Sequence, residues 1–149
     1  MLMNIAIAAA LMVATTGIHA GGMVLAMHAL RAQGHSSRRR LKQTRIFWVG
    51  GIILLMFIVS LVEVLVWAVT YLALNAIDGF EKALYFSMVT FTTLGYGEIV
   101  LDERWRLLAS SEAGNGIIMF GWTTAIVIAA VQRIYLSEET ERHRRGPGE

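Results

Sequence analysis

The chain has 149 residues, 56% of them hydrophobic and 16% charged, with a mean hydropathy of +0.57 and a formal charge of +2. A soluble domain carries about a quarter charged residues, so this balance excludes an ordinary globular enzyme. Cysteine is absent, which removes disulfides and thiolate metal sites from consideration.

The charges are segregated. No Asp, Glu, Lys or Arg occurs from Met1 to Leu30, Glu63 is the single one from Ile46 to Ile77, and none occurs from Ala113 to Gln132. Each stretch reaches the roughly 20 residues needed to cross about 30 Å of hydrocarbon. The expected fold class is an all-α membrane protein with three transmembrane helices.

Residues 1–30 read as the first helix. Ile18-His19-Ala20-Gly21 offers a small-residue cleavage site, but a basic leader is missing and the apolar run continues, so the helix is expected to be retained. Gly17, Gly21 and Gly22 allow close helix contact there. His19 and His28 are ionisable groups in or near the membrane, and so candidate pH-responsive or structural groups.

The linker 31–46 holds Arg31, Arg38, Arg39, Arg40, Lys42 and Arg45, and Arg133, Arg142, Arg144 and Arg145 follow the last span. The positive-inside rule places both regions in the cytoplasm and the N-terminus outside. The basic stretch 31–45 is expected to rest against anionic lipid headgroups; flanked by spans, it does not read as a nucleic-acid site.

The second span, 47–77, opens on Phe47 and Trp48, which suit a membrane interface. Glu63 sits near its middle. A bare carboxylate in hydrocarbon is costly, so Glu63 should be protonated, bonded to a neighbouring helix or facing water. The simplest reading is a hydrogen bond to the first helix; a gating or pH role is the alternative.

After a turn at Asp78-Gly79, residues 80–92 read as a short helix and 93–97 as non-helical backbone. A half-crossing segment of this kind is tolerated only inside protein or beside a water-filled cavity. One chain has too few spans to enclose it, which argues for oligomerisation. Residues 98–111 form a polar outer connection with Trp105 as an interfacial anchor.

The last span, 112–136, opens on Glu112, a further candidate pH or structural group. Gly114, Gly116 and Gly121 loosen its first half, and Gly116 and Gly121 are candidate hinges, with Gly121 favoured. Thr123 and Thr124 are candidate cavity-facing hydroxyls. They point about 100° apart, so at most one fully faces water, and either can bond back to its own preceding turn. Residues 137–149 read as a charged, disordered cytoplasmic tail. No arginine ladder marks any helix as a voltage sensor.

The densest signal is Thr92-Thr93-Leu94-Gly95-Tyr96-Gly97-Glu98. Glycine enters left-handed backbone freely, where other L-residues lose roughly 1–2 kcal/mol. Gly95 and Gly97 fall at alternate positions, which lets successive carbonyls face one axis. Several such strands around a common axis can replace the water shell of a potassium ion. Thr93 can add its hydroxyl at the inner end, and Tyr96 is expected to turn outward against Tyr85 or Phe86. The C-terminal partial charge of the preceding helix would favour a cation nearby.

The run Ala83-Leu84-Tyr85-Phe86-Ser87-Met88-Val89-Thr90-Phe91-Thr92-Thr93-Leu94-Gly95-Tyr96-Gly97-Glu98 resembles the pore helix and filter of the potassium channel family. With its flanking spans the resemblance covers roughly Phe47 to Tyr135, about 60% of the chain. It is similar to the bacterial two-helix pore module, here with an additional N-terminal helix.

The resemblance implies a homotetrameric, non-enzymatic channel in a bacterial inner membrane. It implies K+ binding by the carbonyls of Thr93, Leu94, Gly95 and Tyr96, with Gly97 completing the filter and Thr92, Glu98, Tyr85 and Val89 supporting it. No cofactor is implied beyond the permeant ion. Leu94 stands where the family usually has valine, and Glu98 where it usually has aspartate. Val89 stands where some members bond that acid with a glutamate, so that bond cannot form here. A non-selective monovalent cation channel and a non-conducting assembly subunit are the alternatives.

Overall fold

The computed structural model describes the backbone of residues 2–32 and 41–144, and side-chain surroundings within 2–29 and 47–132. The expected lipid contact of 31–45 and the end of the charged tail fall outside those residues. Four helices follow in order: α1 (Leu2–Ala32), α2 (Leu41–Ala73), α3 (Phe80–Phe91) and α4 (Arg106–Arg144). Their sequences are rich in Leu, Ala, Met and Ile, and the one proline of the chain, Pro147, lies beyond them. Leu2–Ala29, Phe47–Ala73 and Arg106–Gln132 are long and apolar enough to cross a membrane. At 1.5 Å per residue each is roughly 40 Å long, so it tilts or protrudes from about 30 Å of hydrocarbon. α3, about 18 Å long, cannot cross.

Several boundaries differ from those read in the sequence. α2 starts inside the expected linker and stops at Ala73 rather than 77. The stop is a Schellman motif: Asn75 N–H donates to Leu72 O and Ala76 N–H to Tyr71 O, each at 2.9 Å, with Asn75 left-handed at φ 50°. α4 begins at Arg106, not 112, and continues through the expected disordered tail to Arg144. Charge had suggested a polar loop there, but Arg106 to Ser111 contains no helix breaker and extends the apolar helix behind it.

α2 touches the other three helices, α1 packs on α2 and α4, and α3 lies against α2 and α4. One core cluster joins all four through Ala8, Trp67, Tyr71, Phe86, Phe91 and Met119, and takes in Leu101 and Trp105 of the connection. A second, formed by Ala26, Ile52, Met56, Ile126 and Ala130, lies at the other end of the three long helices. Gly22 allows α1 this close: a β-carbon there would come within 2.6 Å of Val59 Cγ2. Large apolar side chains such as Phe57, Leu54 and Ile117 point away from the chain; in a membrane such faces meet acyl chains or another subunit.

Polar groups also hold α1 in place. Asn4 Nδ2 donates to the carbonyl of Arg104, and Asn115 Nδ2 donates to Thr15 Oγ1 at 2.9 Å. The Asn115 bond is buried between two spans, where such a bond is worth about 1 kcal/mol, while the Asn4 bond ties α1 to the connection before α4. Their partners lie 100 residues apart in sequence.

Candidate functional site

The chain leaves α3 through a second Schellman motif. Thr93 N–H donates to Thr90 O and Leu94 N–H to Val89 O, both at 2.9 Å. The left-handed residue that this motif needs is Thr93, at φ 62°. A β-branched residue there is unusual and costs roughly 1–2 kcal/mol. Strain of this kind persists where surrounding structure imposes it, often at functional sites.

Gly95 follows at φ 55° and Gly97 at φ 85°. Left-handed backbone therefore recurs at every second residue, 93, 95 and 97, whereas Leu94 and Tyr96 do not have positive φ. A β-carbon on Gly95 or Gly97 would meet nothing within 4 Å, so it is backbone handedness rather than space that calls for glycine here. The ribbon 93–98 is exposed throughout, with Leu94 58% and Tyr96 65% accessible.

Behind the ribbon lies a groove of about 480 Å³, lined in part by Tyr85, Phe86, Val89, Tyr96, Val100 and Ala113. Tyr96 thus shares a wall with the aromatics expected to brace it, although most of its ring stays open. The outer end of the ribbon is tied back to α3: Tyr85 Oη donates to Glu98 Oε2 at 2.5 Å. That bond, followed by desolvation and the Glu98 charge, raises the Tyr85 phenol above its ordinary value of 10.0. Val89 makes no such bond and lines the groove instead. Thr92 Oγ1 turns back to Met88 O at 2.7 Å and caps its own helix.

Glycine also decides how α4 meets α3. A β-carbon on Gly116 would lie 2.0 Å from the carbonyl oxygen of Phe91, whereas one on Gly121 would meet nothing within 4 Å. Of the two hinge candidates, Gly116 is a packing residue and Gly121 faces open space. Phe91 and Phe120 add an edge-to-face pair beside that contact, with centroids 5.7 Å apart.

The two threonines part company. Thr124 bonds back to Phe120 O at 2.9 Å on the exposed side of α4. Thr123, expected as a cavity hydroxyl, turns toward α1, with Oγ1 3.3 Å from His19 Nε2. Helix rotation alone separates them, since α1 occupies the side that Thr123 faces.

The remaining ionisable candidates are placed as follows. Glu63 is fully buried and lies 2.9 Å from His19 Nδ1, which gives it the partner on the first helix. His28 is exposed and bonds to Val24 O of its own helix at 2.9 Å. Glu112 is buried between three helices: Tyr71 Oη donates to Oε2 at 2.6 Å, and Ser87 Oγ lies 2.5 Å from Oε1. Ser87 Oγ is also 2.8 Å from Val64 O. One hydroxyl has one proton and a carbonyl only accepts, so both Ser87 contacts are satisfied together when Glu112 carries a proton.

Ser87, Tyr71, Asn115 and Thr15 were not singled out by sequence reasoning. Each is a polar group within an apolar run, which marks it as requiring a partner; the identity of that partner depends on how the helices rotate against one another.

A protein-family model described as "Ion channel" matches residues 57–133, more than half of the chain. The match runs from Phe57 in α2 through α3 and the ribbon to Arg133 in α4, and leaves α1 outside. Neither a curated protein nor a solved structure matches the chain.

Proposed function

The chain belongs to the ion channel family, in its two-helix, potassium-channel-like form, and from that premise we propose that it is a multi-pass membrane protein that conducts K+ passively as a homotetramer. Four copies of the ribbon 93–97 converge on one axis, and the carbonyls of Thr93, Leu94, Gly95 and Tyr96 replace the water shell of the ion. α3 serves as a re-entrant pore helix. α4 lines the inner cavity, and the termini lie outside (N) and in the cytoplasm (C), at a bacterial inner membrane.

The observation that carries this reading is the left-handed backbone at Thr93, Gly95 and Gly97, in an open ribbon between two spans. Alternating handedness turns successive peptide groups to one side. Lipid-exposed irregular backbone is not tolerated in hydrocarbon, so the ribbon demands enclosure by further protein, and copies of the same chain supply it symmetrically. An acidic Glu98 at the outer end adds a modest attraction for cations.

The test is ion flux from liposomes containing the purified chain, with its mass in detergent measured alongside. Potassium should pass in large preference to sodium, from a tetramer. Gly95→Ala, which forces a side chain into φ 55° backbone, should abolish that preference. Equal sodium and potassium flux would make the protein a non-selective cation channel. A tetramer without flux would make it an assembly subunit.

A further inference from the structure

The family match covers much of α2, α3 and α4, but a buried polar contact reaches from them to α1, which lies outside it. His19 of α1 is fully buried, and so is Glu63 of α2. His19 Nδ1 lies 2.9 Å from Glu63 Oε1 and its Nε2 lies 3.3 Å from Thr123 Oγ1 of α4. The Trp122 ring stands edge-on to the imidazole at 6.2 Å between centroids. Glu63 Oε2 is buried without a hydrogen-bond partner, so His19 is what holds the carboxylate.

We propose that His19, Glu63 and Thr123 form a proton-binding site, separate from the ribbon, through which α1 controls the inner helix α4. The control of conduction rests on α4 lining the pore; the proton site itself does not. When the His–Glu pair holds one proton, Nδ1–H donates to the Glu63 carboxylate and Nε2 is a bare acceptor. The hydroxyl of Thr123 must then donate to it.

When the pair holds two, Nε2 carries a hydrogen and donates to Thr123 Oγ1, while the other proton is shared between Nδ1 and Oε1. Uptake of one proton thus reverses the bond between α1 and α4. It frees the Thr123 hydroxyl to bond into its own helix, as Thr124 already does with Phe120 and as threonines do when they bend a helix. Thr123 is two residues past Gly121, where α4 has open space, so the change acts where the helix is free to respond.

Few other charges compete at this point. On α1, His28 is exposed and bonds to Val24 O. On α2 and α4, the remaining buried titratable groups among the described residues are Tyr71 and Glu112, which bond to each other. α3 does not touch α1.

The experiment uses the full chain twice. Nitrogen-15 NMR of the histidine rings in detergent, with His19 assigned by its loss in His19→Gln, follows the protonation of Nδ1 and Nε2 between about pH 5 and 8. K+ flux from liposomes is measured across the same range. The His19 ring should gain its Nε2 proton within the window, and flux should change by a factor of about 5 or more, the low end of ordinary coupling between sites.

Thr123→Val should leave the ring titrating but flatten the flux profile, and Thr123→Ser should restore it. A His19 ring that keeps one protonation state throughout overturns the proposal. So does a pH profile that survives unchanged in both His19→Gln and Thr123→Val. Titration of the ring in a chain that carries no ions supports the proton site and overturns the conduction reading instead.

Discussion

Replacing Gly116 with alanine puts a methyl group where the α3 backbone already is. The added carbon would lie 2.0 Å from the Phe91 oxygen and 2.9 Å from its carbonyl carbon. Close carbon–oxygen contacts in proteins settle near 3.3 Å, so α4 must retreat by roughly 1.3 Å or α3 must tilt. Because the obstacle is backbone, no rotamer change relieves it, and the cost should reach the upper part of the range for overpacking, about 3 kcal/mol.

At roughly 2–4 °C per kcal/mol for a chain of this length, the melting temperature should fall by about 6–12 °C. Gly121→Ala is the control: its β-carbon meets nothing, and alanine gains up to about 1 kcal/mol of helix propensity. Thermal melts of the two purified variants, followed by circular dichroism, make the comparison. If Gly116→Ala melted with the wild type, the close seating of α4 on the end of α3 would be refuted. If Gly121→Ala were as damaging as Gly116→Ala, the open space around Gly121 would be refuted instead.

Two further outcomes follow from the hydrogen bonds. The Tyr85 phenol is raised by its bond to Glu98, so its contribution to anchoring the ribbon is fully present below the ordinary phenol range and is lost as pH climbs through the raised value. Tyr85→Phe should therefore loosen the ribbon at neutral pH, and the phenolate transition it removes from the ultraviolet difference titration should lie above the ordinary phenol value of 10.0; a lost transition at the ordinary value would count against the bond. At Glu112, glutamine can both accept from Tyr71 and donate to Ser87, so Glu112→Gln should melt close to wild type. Glu112→Leu leaves the Tyr71 hydroxyl without its acceptor at about 1–3 kcal/mol, while Ser87 keeps its bond to Val64 O, and equal melting of the two variants would show that the Tyr71 bond contributes nothing.

Much of the molecule is legible before any coordinates. Uninterrupted apolar runs must become helices in a membrane, because no other local structure satisfies its own backbone there. Such runs are long enough to give three spans. The spacing of Gly95 and Gly97 likewise announces alternating backbone handedness, since glycine alone adopts it without strain. Thr93 was not expected in that set; the turn out of α3 forces it there.

Helix ends were read less well. Charge suggested a loop at 106–111 and a disordered tail after 136, yet 106–111 and 137–144 belong to α4, because charged residues are good helix formers once a long helix is nucleated. Sequence marked Glu63, Glu112 and His19 as groups in need of partners, for a polar group in hydrocarbon cannot be left alone. It did not say that Glu112 would be held by Tyr71 and Ser87, that Glu63 would face His19, or that Thr123 would complete that contact. Those pairings depend on how four helices rotate and slide against one another. That is settled by close packing at points such as Gly116 against Phe91 and Gly22 against Val59, where a single methyl group would move a helix and no feature of the linear chain records the distance.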